Sequence, residues 1–255
     1  MLKKRIIPVQ LLIGERLVKT VRFEGDRDVG DPVKSSAVYN SQQADELMFL
    51  NIDRANRSVE PLAALIERVS KVCFMPLAVG GGVRQFSDAA FLIQNGADKV
   101  VVNSAIYSNP KLLTQIADHF GIQASVASID ARWDAELQRY IPYSDCGRVR
   151  HEEHELLELV RECERLGAGE VFVQSIDRDG TMSGYDIRLI QNVMSACRIP
   201  IVAGGGSGNY DQMRECFLAT GVSALACGSI FNFSDSNPMR AKSYLANHGL
   251  AFKRI

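Results

Sequence analysis

Short runs of apolar and β-branched residues alternate with longer amphipathic stretches along the whole chain, a pattern that predicts repeated strand–helix units around a parallel sheet. The runs predict strands at 6–12, 46–52, 77–79, 99–102, 124–129, 170–176, 201–203 and 224–227. Eight is the number that closes a parallel barrel, so the predicted fold is α/β, a single (β/α)8 TIM barrel. Helix starts are legible between the strands. Ser87 and Asp88 precede one apolar stretch, and Asn109-Pro110 offers a capping side chain followed by a proline suited to a first helical turn.

An internal repeat refines this picture. Ala44, Glu46, Ile52, Asp53 and Arg54 recur as Ala168, Glu170, Ile176, Asp177 and Arg178, an offset of 124. Pro76 and Gly80-Gly81-Gly82 recur at the same offset as Pro200 and Gly204-Gly205-Gly206. A shared offset for two separated motifs predicts a duplicated half-barrel with two-fold pseudosymmetry, the halves spanning approximately 1–122 and 123–255 of one domain covering 1–255.

Composition changes the picture little and excludes several functions. A chain of 255 residues is the usual size of one such barrel, and 46% hydrophobic with 23% charged residues is ordinary globular composition. The 29 Lys and Arg balance 30 Asp and Glu, which gives no reason to expect nucleic acid or an anionic membrane as partner. Cys73, Cys146, Cys163, Cys197, Cys216 and Cys227 are scattered without a paired metal-site spacing, so a reducing, cytoplasmic setting is expected. The basic start, Met1 to Arg5, and the apolar run after it resemble a signal peptide only faintly. Pro8 and Gln10 interrupt the run, and it reads as a buried strand.

In a parallel barrel the chemistry belongs at the C-terminal ends of the strands. Both glycine triplets fall there, followed by Asn103-Ser104 after the fourth strand and Gly228-Ser229 after the eighth. Each set reads either as a tight turn or as a phosphate cradle, because glycine lets backbone N–H groups approach an anion at a helix N-terminus. Two symmetric sets favour a substrate carrying a phosphate at each end. Asp130 ends the fifth strand and is a candidate general acid or base, the alternative being a brace for its loop. Of Asp177 and Asp179 after the sixth strand, one is expected at the rim and one to brace the loop through Arg178. His151 and His154 have ligand-like spacing, but their polar surroundings read as a solvated helix face, and neither a metal nor an organic cofactor is expected. Trp133 reads as packing or part of a hairpin.

Jointly, Lys4-Arg5-Ile6-Ile7-Pro8, Val18-Lys19, Gly30-Asp31-Pro32, Ala44-Asp45-Glu46-Leu47, Val79-Gly80-Gly81-Gly82, Gly96-Ala97-Asp98-Lys99, Ser175-Ile176-Asp177-Arg178-Asp179-Gly180-Thr181 and Ser183-Gly184-Tyr185-Asp186 resemble the cyclase (synthase) subunit family of imidazole glycerol phosphate synthase. The resemblance covers the whole chain. It implies a heterodimer with a glutaminase subunit, whose ammonia passes through the barrel to a bis-phosphorylated ribulosyl nucleotide precursor, giving imidazole glycerol phosphate in histidine biosynthesis. It further implies phosphate contacts from Gly82, Asn103, Ser104, Asp179, Gly180, Gly205, Gly206, Gly228 and Ser229, an ammonia gate of Arg5, Glu46, Lys99 and Glu170, and a glutaminase contact at Asp98.

The sequence departs from that family at the catalytic face. The resemblance implies an aspartate at the end of strand one as well as Asp130, and Leu11 stands there; Asn51 stands where the family usually carries aspartate on strand two. Loss of a positioned acid typically costs about 10²–10⁴-fold. The expectation is therefore an ammonia-using subunit with an altered acceptor, as in sugar amidation. The alternatives are a working histidine-pathway subunit using Asp53 or Glu15 as a displaced acid, and a non-catalytic ammonia conduit that activates the glutaminase. No cysteine in this chain has the context of a glutaminase nucleophile.

Overall fold

The computed structural model describes residues 3–253; Met1, Leu2, Arg254 and Ile255, at the ends of the expected domain, lie outside the described residues. Eight parallel strands close on themselves: β1 (Arg5–Ile13), β4 (Leu47–Asn51), β5 (Leu77–Gly80), β6 (Lys99–Val102), β7 (Ser125–Asp134), β10 (Glu170–Ser175), β11 (Ile201–Gly204) and β12 (Ala224–Cys227). β10 pairs with β7 and β12 with β1, which leaves no free edge in the ring. Every predicted strand is present, and every bound coincides or is shifted by one residue except the end of β7.

Alternation along each strand sorts side chains into two cores. Ile7, Val9, Met48, Val101, Val126, Phe172 and Val202 fill the barrel interior, while Ile6, Phe49, Val79, Ile129 and Val173 face the helices. Helix Leu156–Arg165 illustrates the outer layer: Leu156, Leu159, Val160 and Cys163 form one buried stripe at helical spacing.

Two helix starts differ from expectation by a small register shift. Helix Phe86–Gln94 is capped by Gln85, with Asp88 as its third residue accepting from the Gln85 backbone N–H at 3.1 Å. Pro110 rather than Asn109 caps helix Lys111–Phe120. The Asn109 carbonyl accepts from Leu112, and its side chain donates to the Arg84 carbonyl.

Two excursions were absent from the predicted strands. β2 (Arg16–Val21) and β3 (Glu24–Gly30) fold back antiparallel on the end of β1, and β8 (Arg139–Ser144) with β9 (Val149–Arg150) does the same at β7. β3 exposes five residues in a row and β9 both of its two, so neither gives an apolar alternation to read, while β2 and β8 are largely buried without a continuous apolar run. β7 accordingly runs five residues beyond its predicted end, and Trp133 lies in this hairpin, packed edge-on against Tyr140.

Strand register repeats between the halves. Leu11 pairs with Leu50 across β1 and β4, and Asp130 pairs with Gln174 across β7 and β10, Gln174 being the repeat partner of Leu50. Leu50 then faces Gly80, as Gln174 faces Gly204.

Candidate functional site

At the N-terminal end of the strands four charges form a closed ring. Arg5 donates to Glu46 at 2.9 Å and to Glu170, and Lys99 donates to Glu46 at 2.8 Å and Glu170 at 2.9 Å. Burial pushes the Glu46 carboxyl up against the pull of Lys99, and its Oε1 has no partner among the described residues. Burial also raises Glu170, but Arg5 and Lys99 together hold it below the usual carboxylate range. Above the ring the interior is apolar up to the rim. Asp98 lies exposed at the same end, one carboxylate oxygen accepting from the Leu77 backbone N–H at 2.8 Å.

At the other end a cavity of about 740 Å³ opens over the strand ends. Asp130 reaches it from β7, and Ser128 lines it one step below. Burial, reinforced by Asp179, pushes the Asp130 carboxyl up to about 7, against a hydrogen bond from Asn103 Nδ2 at 3.1 Å. A carboxyl that titrates near neutrality can both give and take a proton at physiological pH. Asn103 also donates to the Ser128 carbonyl at 3.0 Å, which fixes its amide against β7.

The first glycine set opens into this cavity. Gly82, Asn103 and Ser104 line it together. Gly82 has φ +84°, and a Cβ there would collide with the Arg57 carbonyl, so glycine is required by chain packing whatever binds. What makes the pocket attractive to an anion is its charge. Arg54, Arg57 and Arg84 line it, and Asp145 pairs with Arg54 at 2.6 Å and with Arg57 at 2.5 Å.

The second set forms a smaller pocket of about 30 Å³, lined by Asp179, Gly180, Gly205, Gly206, Gly228 and Ser229, which shares Leu11 and Gln174 with the lining of the main cavity. Lys19, returning on β2, lies over it. Its ammonium donates to the Val9 carbonyl at 3.1 Å and occupies the space beside Gly228 where any Cβ would sit. Burial lowers the Lys19 pKa, and Asp179 counters this; burial raises Asp179, and Lys19 counters that. Thr20, Gln174 and the Phe23 backbone N–H also donate to Asp179.

Sequence reasoning assigned no role to Lys19, Arg54, Arg57 or Arg84. The signal for Lys19 was a lone lysine inside an apolar run, Leu17 to Val21, which becomes informative only once β2 folds back over the rim. Of the two aspartates after β10, Asp179 reaches the rim, while Asp177 braces the hairpin by accepting from the Trp133 N–H at 2.9 Å. Arg178 takes no part in that brace and reaches Ser183 instead.

The displaced acids are not at the cavity. Asp53 accepts from Gly14, Ala55 and Asn56 backbone N–H groups, and with Glu15 it lines a separate pocket. Leu11 is buried and lines the main cavity, and Asn51 is held by Asp53 N–H and the Asn56 carbonyl. Among the described residues no helix is long and apolar enough to cross a membrane.

A family model described as histidine biosynthesis protein matches residues 5–237. The chain is 38% identical over 250 residues to imidazole glycerol phosphate synthase subunit HisF of Staphylococcus carnosus, covering 98% of each chain. It is 39% identical over 253 residues to the HisF subunit of Lactiplantibacillus plantarum, covering 99% of this chain and 100% of the relative. With the Bacillus cereus HisF subunit it shares 41% identity over 245 residues, 96% of each chain.

Proposed function

Because the chain belongs to the histidine biosynthesis protein family, we propose that it is a lyase-type enzyme, the cyclase subunit of an imidazole glycerol phosphate synthase, joining ammonia to a bis-phosphorylated substrate. The observation that carries this reading is Asp130, its carboxyl pushed up to about 7, in a cavity that holds the first glycine set and shares Leu11 and Gln174 with the lining of the second.

One phosphate would lie against Gly82, Asn103 and Ser104 within reach of the arginine side chains. The other would lie against Gly205, Gly206, Gly228 and Ser229, with Lys19 as its cation and Asp179 and Gly180 bounding the pocket. Lys19 must swing from the Val9 carbonyl to admit it, because the second pocket has room for little more than a water molecule. Held at both ends, the reacting carbon is presented to Asp130. That carboxyl takes a proton from the attacking nitrogen and returns one to the leaving group, while Asn103 steers it.

Ammonia would come from a glutaminase subunit docked on the face that carries Asp98 and the Arg5–Glu46–Lys99–Glu170 ring. Neutral ammonia crosses the apolar interior at far smaller cost than ammonium, which suits a charged gate beneath a dry channel. Breaking a buried pair costs about 3–5 kcal/mol, so the ring stays shut unless docking contributes to opening it.

The relatives' names favour the histidine-pathway acceptor over the altered, sugar-type acceptor expected from Leu11. Leu11 itself is the observation that keeps the second reading alive, since it cannot transfer a proton. Cyclisation of the bis-phosphorylated precursor, driven by an ammonium salt without any glutaminase, decides between them. Turnover that disappears in Asp130→Asn supports the first reading. No turnover with intact binding of the precursor supports the second.

A further inference from the structure

The His151–His154 segment, expected from its polar surroundings to be a solvated helix face, is solvated but not helical. It is a turn ahead of helix Leu156–Arg165, closed by a His154 N–H to His151 carbonyl bond of 3.2 Å. The turn gathers His151, Glu153 and His154 so that one ligating atom from each lies within 4.8 Å of the others. His151 Nδ1 is 3.3 Å from Glu153 Oε1, and His154 Nε2 is 3.7 Å from the same oxygen. A tetrahedral zinc ion, with bonds of about 2.0–2.2 Å, sets neighbouring ligand atoms about 3.3 Å apart. The two nitrogen–oxygen separations already lie at or near that spacing.

Two further observations point to a ligand. His151 is fixed as a metal-ligating imidazole usually is, its other nitrogen bonded to Ser144 Oγ at 2.8 Å and its ring stacked on Tyr107 at 3.6 Å and 3°. The remaining ring nitrogen, Nδ1, faces the Glu153 carboxylate at 3.3 Å. The arginines nearby do not pair with that carboxylate. Arg150 is taken by Asp134 and Glu152, and Arg139 by Glu155, so that among the described residues the Glu153 carboxylate meets only its own backbone N–H and the two imidazoles.

We propose that His151, Glu153 and His154 bind one divalent transition-metal ion of the zinc class, leaving a fourth position open to water. Three protein ligands with one open position are a recurrent zinc arrangement. The ion ties the turn to the hairpin that carries Ser144, a wall of the main cavity. The site is separate from the acid/base and anion-holding residues and stands whether or not the proposed cyclase function holds.

The test is titration of chelator-treated, full-length protein with cobalt(II) and zinc(II), following the cobalt d–d bands and competition by a chromogenic chelator. One zinc per chain and tetrahedral cobalt bands without thiolate charge transfer are expected. His154→Ala and Glu153→Gln should each weaken binding at least about tenfold, and Ser144→Ala about tenfold through the freed His151 ring. Glu152→Gln, on the same turn but outside the cluster, should bind as the parent does. Circular dichroism confirms that each variant is folded. Absence of saturable binding, thiolate bands that put the ion on cysteine, or equal effects of Glu152→Gln and Glu153→Gln would overturn the proposal.

Discussion

On the same strand register, the two halves of the barrel present opposite chemistry to the cavity. Leu11 pairs with Leu50 in the first half, and Asp130 pairs with Gln174 in the second. Duplication thus fixed where these side chains stand while leaving their identity free. The charges are divided the other way. The loops of the first half bring Arg54, Arg57 and Arg84 to an open pocket, whereas the second-half pocket is nearly filled by Lys19, which comes from β2 of the first half. Leu11 and Leu50 thus make these first-half strand ends apolar where the second half carries Asp130 and Gln174, while the first-half loops around them carry the arginines.

The comparison breaks most severely at Asp130. Asp130→Asn should lower ammonium-driven cyclisation by about 10²–10⁴-fold, while precursor binding survives. The same variant should be more stable than the parent above neutral pH. Because the folded state raises the Asp130 pKa to about 7 from 3.8, it holds that proton more tightly than the unfolded chain. Parent stability is therefore full below about pH 4 and is lost as pH rises through 7. At about 1.4 kcal/mol per pKa unit, the variant's advantage reaches at most roughly 4 kcal/mol at pH 8 and vanishes near pH 4 in urea titrations.

Leu11→Asp sharpens the contrast from the other side. A carboxylate restored opposite its repeat partner should raise cyclisation toward the lower end of that range, about 10²-fold. An unchanged rate would mean that Asp130 needs no partner or that the acceptor differs. A smaller effect belongs to Lys19→Met, which keeps the stem and removes the cation of the second pocket. It should weaken precursor binding by about 10–100-fold, the worth of one charge-assisted hydrogen bond of about 1.5–3 kcal/mol. The smallest effect on chemistry is expected at the bottom ring: Glu46→Gln should leave the ammonium-driven rate unchanged while lowering the glutamine-driven rate of the assembled enzyme.

The eight strands, the barrel and the repeat were legible because buried parallel strands read as continuous apolar runs, and because an identical offset survives in the glycine triplets. Asp130 was legible for a related reason: a carboxylate that follows an apolar run stands where the barrel part of the strand ends, here where β7 leaves β10 and continues into its hairpin. The hairpins were not. β3 is exposed and polar, so no pattern marks it, and Lys19 gains meaning only when β2 folds back over Gly228. Arg54 and Arg57 sit in an irregular loop, where neither period applies, and their convergence on Asp145 joins residues about ninety positions apart. Asp53 and Glu15 looked eligible as displaced acids through proximity in sequence to strand ends. The backbone N–H groups that claim Asp53, and the separate pocket that holds both residues, set them aside.

The most direct test of the two-pocket account is a crystal structure of Asp130→Asn protein with the bis-phosphorylated precursor bound. The account predicts one phosphate at Gly82, Asn103 and Ser104, the other at Gly205, Gly206 and Ser229 with Lys19 swung onto it, and the reacting carbon within about 3.5 Å of residue 130. A precursor held by only one phosphate, or lying with its reacting carbon away from residue 130, would contradict it.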